Sequence, residues 1–208
     1  MESIKAQLKD YYNKYADERN ANIKNQWKLD LRNDFLAVMK ENGLKSMLEI
    51  GAGTGQDSMF FMEKGFIVTA VDLSEEHVKR CREKGIDAKV MDFVEMSFSN
   101  DTFDIIYAMN CLLHIPNEEL SDVMAELKRV IKPNGMMFLC QYGDKHKSNE
   151  GIKNYYNRGE RFFSFRTYND FADIIKNSGL SIVKSGTIEL GEENYNSQYF
   201  VIKKIETY

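Results

Sequence analysis

The sequence predicts an α/β fold, doubly wound around a mostly parallel sheet, and three observations carry that expectation. Short apolar runs alternate with helix-like stretches of roughly ten to fifteen residues. Glycines mark the breaks between them, and the only two prolines, Pro116 and Pro133, bracket one of the helices. A chain of 208 residues, 43% hydrophobic and 29% charged, has the length of one domain and the composition of a globular one.

The elements follow in order. From Glu2 to Asn20 the pattern is helical, with Ile4, Leu8, Tyr11, Tyr12 and Tyr15 on one side. A second helix runs from about Gln26 to Asn42, where Trp27, Leu31, Phe35 and Val38 or Met39 recur at helical spacing before Gly43 ends it. KSMLEI is a short buried strand, followed at once by GAGTG and a helix through Met59, Phe60 and Met62 that stops at Gly65. FIVTAVD is the next strand, and Ser74 caps the charged helix SEEHVKRCREK, closed by Gly85. Strand DAKVMD, strand FDIIYAMN, helix NEELSDVMAELKRVI and strand GMMFLCQY complete the alternation. Strands separated by helices in this way form βαβ units covered on both faces.

After Tyr142 the rhythm breaks, and residues 143–166 are a polar and aromatic insertion without long periodicity. Thr167 and Asp170 have the spacing of a capping box for helix TYNDFADIIKNSG. LSIVKSGTIEL and NSQYFVIKKIE then form an antiparallel pair across GEEN. The expected organisation is a single domain over 1–208. It comprises an N-terminal helical arm (1–43), a core (45–142), the insertion (143–166), and a last helix with a terminal hairpin (167–208).

Charge and composition narrow the function. Lys plus Arg is 28 against 32 Asp plus Glu, a net charge of −4, so a chain-wide basic surface for nucleic acid is absent. No apolar stretch approaches the roughly 18 residues of a membrane span, and MESIKAQLKDYYNKY lacks a signal-peptide core, which together predict a cytoplasmic protein. Cys81, Cys111 and Cys140 are too far apart for a thiolate metal site and odd in number, so they are expected as reduced, packed thiols. The three histidines lack ligand spacing, and no metal is expected.

The informative stretch is LEIGAGTG, Leu48 to Gly55. Glycines at 51, 53 and 55 between a strand and a helix leave bare backbone amides at a helix N-terminus, where negative and polar groups bind. Asp72 lies 21 residues after Gly51, at the end of the next strand, where its carboxylate can accept ribose hydroxyls. Asp92 closes the strand after that. In a parallel sheet these strand ends share one edge, so the turn and both acids converge on a ligand crevice.

LEIGAGTG, VDLS with Asp72, MDF with Asp92 and Phe93, FDIIYAMNCLLHIP and LKRVIKPNG resemble the class I S-adenosylmethionine-dependent methyltransferases, and among them the branch acting on small molecules. The resemblance covers residues 45–142. It implies a seven-stranded sheet with an antiparallel last strand, and S-adenosylmethionine as cofactor. It also implies that Glu49 and the turn Gly51, Ala52, Gly53 lie beside the methionine moiety and that Asp72 takes the ribose hydroxyls. Leu73 would cover the adenine, Asp92 would accept its amino group, the Phe93 amide would meet a ring nitrogen, and main chain around Asn110 would contact the cofactor's amino group. Tyr11, Tyr12, Tyr15 and Trp27 are either lid residues over the cofactor or a stripe that packs the arm.

Methyl transfer from a sulfonium is an in-line displacement in which the protein aligns the reactants and excludes water. A hydroxyl acceptor would need a base, and His114, at the active edge after FDIIYAMN, is the candidate, with a pKa expected near 6.5. His77 is expected to be solvated on the charged helix, and His146 lies in the insertion. The insertion carries Tyr155, Tyr156, Phe162, Phe163 and Phe165 among Lys153, Arg158, Arg161 and Arg166. This is either a wall for a small planar or anionic acceptor or a lid packed on its own aromatics. NCLLHIP stands where nucleic-acid amino-methylating members carry an Asn/Asp-Pro-Pro-aromatic motif, a second argument against nucleic acid. Two other functions stay open: a non-catalytic S-adenosylmethionine-binding regulator, and a nicotinamide-dependent oxidoreductase. Gln56 stands where the dinucleotide fingerprint has its third glycine and counts against the latter.

Overall fold

The computed structural model describes residues 2–154 and 159–205. Helices α1 (Glu2–Lys14), α2 (Ala16–Ala21) and α3 (Gln26–Glu41) form the arm. Then come β1 (Ser46–Ile50), α4 (Gln56–Glu63), β2 (Ile67–Asp72), α5 (Glu75–Glu83), β3 (Asp87–Val90), β4 (Phe103–Met109), a 3-10 turn (Leu112–His114), α6 (Asn117–Val130) and β5 (Ile131–Asp144). The chain continues through β6 (Asn149–Lys153), β7 (Arg161–Phe165), α7 (Tyr168–Asn177), β8 (Ser181–Glu189) and β9 (Tyr195–Lys203).

Seven strands form one sheet in the order β3-β2-β1-β4-β5-β9-β8. β9, the last strand in the chain, is antiparallel to both neighbours and lies between β5 and β8, while the pairings among β3, β2, β1, β4 and β5 are parallel. The order reverses between β1 and β4, the switch point at which open α/β sheets bind ligands.

Side-chain alternation explains why the central strands are apolar throughout. Leu48, Ile50, Ile106, Ala108, Met137 and Leu139 point to one face, under Leu120, Val123 and Leu127 of α6 and Phe171 and Ile175 of α7. Met47, Ile105, Tyr107, Phe138 and Cys140 point to the other, against Leu31, Phe35 and Met39 of α3 and Phe61 of α4. Both faces are buried, as parallel strands require. Cys81, Cys111 and Cys140 are buried thiols, and burial pushes Cys81 up to about 12 and Cys140 to about 11.

Five details differ from the sequence reading. The first helix breaks at Tyr15 (φ −104, ψ 18), which redirects α2 so that Asp17 meets Arg80 of α5 at 2.5 Å. β3 stops at Val90, leaving Asp92 in the loop beyond it. β5 is longer than GMMFLCQY because it pairs with β9 as far as Asp144. The insertion contains a hairpin, β6 paired antiparallel with β7. The capping box is reshaped as well: Thr167 Oγ1 accepts from Asp170 N at 3.2 Å, while Ser148 Oγ accepts from Thr167 N at 2.8 Å and donates to Asp170.

Candidate functional site

β1 delivers the chain to the switch point, and GAGTG turns it sharply into α4. Gly51 has φ +60, and a Cβ there would lie 2.3 Å from Cys111 Cβ, so side-chain-free backbone is required on two counts. Gly53 has φ +57 with open space where a Cβ would stand, and its N–H donates to Asp72 Oδ2 at 2.8 Å. Gly51→Ala should therefore lower stability by about 2 kcal/mol through overpacking and left-handed strain. The urea midpoint measures it, and an unshifted midpoint would show that the loop relaxes freely.

Asp72, the last residue of β2, is 8% exposed. Its Oδ1 accepts from Ser74 N at 2.9 Å and lies 3.3 Å from His77 Nδ1. Three of the roughly four acceptor positions of a carboxylate are thus taken, leaving Oδ2 a lone pair for a ligand in the cleft it lines. Asp92 Oδ1 accepts from Val94 N at 3.0 Å, and Oδ2 accepts from Lys5 Nζ of α1 at 2.7 Å. Burial works against the Lys5 charge, but its contacts with Asp92 outweigh this and raise its pKa. Leu73 and Phe93 lie on the same cleft, as do Glu49, Gly51, Ala52, Gly53 and Asn110.

Glu49 is 3% exposed and accepts from Ser58 Oγ. Burial first, and then the neighbouring charge of Asp57, hold its carboxyl well above the usual carboxylate range. Asp57 is itself held by Lys24 of the arm and by Arg32 at 3.0 Å. Asn110 has φ +58, and its N–H donates to Cys140 O at 2.7 Å. Among the described residues, its Oδ1 and the Nε2 of His77 are buried polar atoms of the cleft lining with no hydrogen-bond partner. Open acceptors at Asp72, Glu49 and Asn110, beside the side-chain-free backbone of the glycine turn, fit an adenosine carrying an amino-acid arm.

The arm roofs this cleft of about 220 Å³ with Ile4, Lys5, Leu8 and Tyr12. Gln56, at the position of the missing glycine, donates to Asn22 O at 2.9 Å and so fastens the arm just after α2 to the glycine turn. A second chamber of about 580 Å³ adjoins the cleft, the two sharing Tyr12, Arg19, Asn22, Lys28, Asn110 and His114. Trp27 and Tyr12 line the chamber, whereas Tyr11 and Tyr15 pack on each other with ring centroids 4.6 Å apart.

His114 sits at the junction, but not as a base with a pKa near 6.5. Its Nδ1 donates to Phe162 O at 2.7 Å, which leaves Nε2 to accept from the Tyr12 hydroxyl at 2.6 Å. Burial, with the charges of Arg161 and Arg19 nearby, lowers its pKa to about 3. The unfolded chain takes up this proton near pH 6.5 and the folded chain near 3, so stability falls as pH drops through that window, by about 1.4 kcal/mol per unit. Denaturant midpoints at pH 7 and pH 5 should differ by about 2 kcal/mol more in the wild type than in His114→Gln. Equal differences would contradict the neutral, buried imidazole.

His77 corrects a second expectation. It is 3% exposed, because His77, Val78 and Cys81 form the inward face of α5 while the charges face out. Its spacing on that face was the available signal. The insertion's cations also separate: Arg166, 1% exposed, donates to Asn117 Oδ1, Leu112 O and Ile115 O and has a structural role. Lys153 lies over Phe165, and Arg161 and Phe163 line the chamber. Tyr155, Tyr156 and Arg158 lie outside the described residues. His146 is not part of either cavity lining. Lys5, Arg19 and Lys28 were not legible as site residues, since only the folded arm brings them to the cleft.

Residues 47–135 match the family described as Methyltransferase domain. The phosphoethanolamine N-methyltransferase of Plasmodium falciparum is 24% identical over 71% of this chain, which spans 58% of that protein's length. An uncharacterized methyltransferase of Staphylococcus carnosus is 25% identical, covering 83% of this chain and 90% of its own. The solved 1,6-didemethyltoxoflavin-N1-methyltransferase of Burkholderia thailandensis, which holds S-adenosylhomocysteine, superposes with a TM-score of 0.66 at 18% identity, covering 89% of this chain and 93% of that one. At that identity the structural likeness is one of fold. Among the described residues no helix is long and apolar enough to cross a membrane. With this sheet order and this glycine turn at its switch point, residues 47–135 are similar to the methyltransferase-domain family in sequence and to solved methyltransferases in fold.

Proposed function

We propose that the protein transfers a methyl group from S-adenosylmethionine to a small-molecule acceptor by in-line displacement. The observation that carries this is the meeting of a nucleoside-sized cleft with a separate chamber at Asn110, Tyr12 and His114. When bound, S-adenosylmethionine supplies a methyl group already activated on its sulfonium. Asp72, Leu73, Asp92 and Phe93 would hold the nucleoside end. Glu49, Gly51, Ala52, Gly53 and Asn110 would hold the amino-acid end. The arm, fastened through Lys5, Lys24 and Gln56, excludes water from the line of transfer. Tyr12 and His114 form one hydrogen-bonded wall at the junction, and with His114 neutral and its Nε2 engaged they orient the acceptor rather than take its proton. Acceptors that need no strong base, amines above all, suit such a site.

The named acceptors of the relatives, phosphoethanolamine and 1,6-didemethyltoxoflavin, are both small molecules and support that class. The experiment is turnover with methyl-labelled S-adenosylmethionine against a metabolite panel and against total RNA and DNA. Label is expected in a small molecule and not in either polymer. Tight cofactor binding with no transfer to any compound would favour the regulatory reading instead.

A further inference from the structure

The chamber beyond the junction is electrically lopsided. Arg19 of α2, Lys28 of α3 and Arg161 of β7 line it, and among the described residues none of the three has a carboxylate within 4.0 Å. Among the described lining residues the one acid, Glu189, is exposed and already paired with Lys145. Arg161 is 4% exposed, and among the described residues its Nε has no hydrogen-bond partner. Its guanidinium is sandwiched by rings instead, 4.4 Å from the Tyr11 centroid and 5.0 Å from that of Phe163. Arginine is almost never buried unless it is paired, because desolvating the charge is expensive. Arg166 shows the ordinary solution in this same chain, with three carbonyl-type acceptors around it. Arg161 has no such set of carbonyl acceptors among the described residues, only the Tyr12 hydroxyl beside it, and it faces a cavity.

The charges also feel one another. Lys28 lies 5.2 Å from the Trp27 ring centroid and 5.4 Å from that of Tyr142, and burial, then Lys24, lowers its pKa to about 8. Arg19 and Arg161 both act to favour the ionised form of Tyr12, although burial outweighs them and raises its pKa. A negative group placed among these cations would satisfy all three at once, and an arginine fork suits an oxyanion bidentately. Trp27, Tyr142 and Phe163 supply flat apolar walls beside it.

We propose that the methyl acceptor is an anionic molecule whose carboxylate or phosphate is held by Arg161, Lys28 and Arg19, with its planar or apolar body between Trp27, Tyr142 and Phe163. This names the substrate class of the transfer site and rests on the function proposed above. With its oxyanion held by these cations, the acceptor turns the atom to be methylated toward Asn110 and His114.

Trp27 is the chain's only tryptophan, so its fluorescence reports the chamber directly. Phenyl phosphate, benzoate and the neutral benzyl alcohol are titrated against the full chain saturated with S-adenosylhomocysteine. At least one of the two anions should quench saturably and bind at least about tenfold more tightly than benzyl alcohol, the minimum for one charged hydrogen bond. Stronger binding of phenyl phosphate points to a phosphate on the acceptor, and stronger binding of benzoate to a carboxylate. Arg161→Met should weaken the anion by about tenfold or more while leaving S-adenosylhomocysteine affinity unchanged. Lys28→Met, at a half-buried position, is the second variant should Arg161→Met fail to fold, and should weaken the same anion. Equal binding of all three probes, no binding of either anion, or unaltered anion binding in the variants would overturn the proposal while S-adenosylhomocysteine binding still stands. Failure to bind S-adenosylhomocysteine at all would remove the methyl-transfer reading, and the acceptor assignment with it.

Discussion

Asp72→Ala is expected to raise the dissociation constant for S-adenosylhomocysteine at least tenfold. The open position on Oδ2 faces the cleft, and a charge-assisted hydrogen bond to a ligand hydroxyl is worth roughly 1.5–3 kcal/mol, where about 1.4 kcal/mol is a factor of ten. The same carboxylate accepts from Gly53 N, Ser74 N and the His77 ring, so the alanine variant also loosens the glycine turn and the start of α5. Asp72→Asn separates the two effects. Its carbonyl oxygen can keep one loop amide while the ligand loses the charge, so affinity should fall by a similar factor with a smaller change in unfolding midpoint. Calorimetry of both variants decides, and an unchanged dissociation constant in either would place nucleoside recognition elsewhere.

Asp57→Ala is expected to cost about 3 kcal/mol of stability, the low end for breaking a buried ion pair from one side. The Asp57 side chain is 3% exposed and bonds Lys24 and Arg32, which retain 21% and 12% exposure and so recover part of their hydration. Arg32 is fixed over Phe60 at 3.6 Å and cannot follow the lost carboxylate outward without giving up that contact. Because Lys24 belongs to the arm, the variant should also expose the arm to proteolysis before the sheet. Removing the Asp57 charge also removes one cause of the raised Glu49 pKa, so Glu49 should ionise at lower pH in the variant. Urea unfolding with a midpoint change worth less than about 1 kcal/mol would show that solvent screens this pair like a surface one.

The sheet was legible because its signals are local. Apolar runs such as FDIIYAM, glycines at the turns and the Ser74 and Thr167 caps each act within a few residues, and the observed bounds follow them closely. The crevice was legible for the same reason, since strand ends of a parallel sheet must share an edge. What was missed depends on contacts across long sequence separations. Neither NEGIK nor RFFSF alternates apolar with polar residues in sequence, so neither half of the β6–β7 hairpin carries the period-two signal of a strand. Lys5 reaches Asp92 across 87 residues, and His114 meets Tyr12 across 102. His114 shows the consequence most clearly: its place on the active edge was readable, but its burial under α1 and β7, which sets its charge state, was not.

On the function proposed above, the cleft between the glycine turn, Asp72 and the arm takes a sulfonium cofactor rather than a dinucleotide. Isothermal calorimetry with S-adenosylhomocysteine and with NAD tests it most directly, in the unmodified chain at neutral pH. Saturable one-to-one binding of S-adenosylhomocysteine and no heat from NAD are expected. Saturable binding of NAD with no response to the sulfur ligand would contradict it.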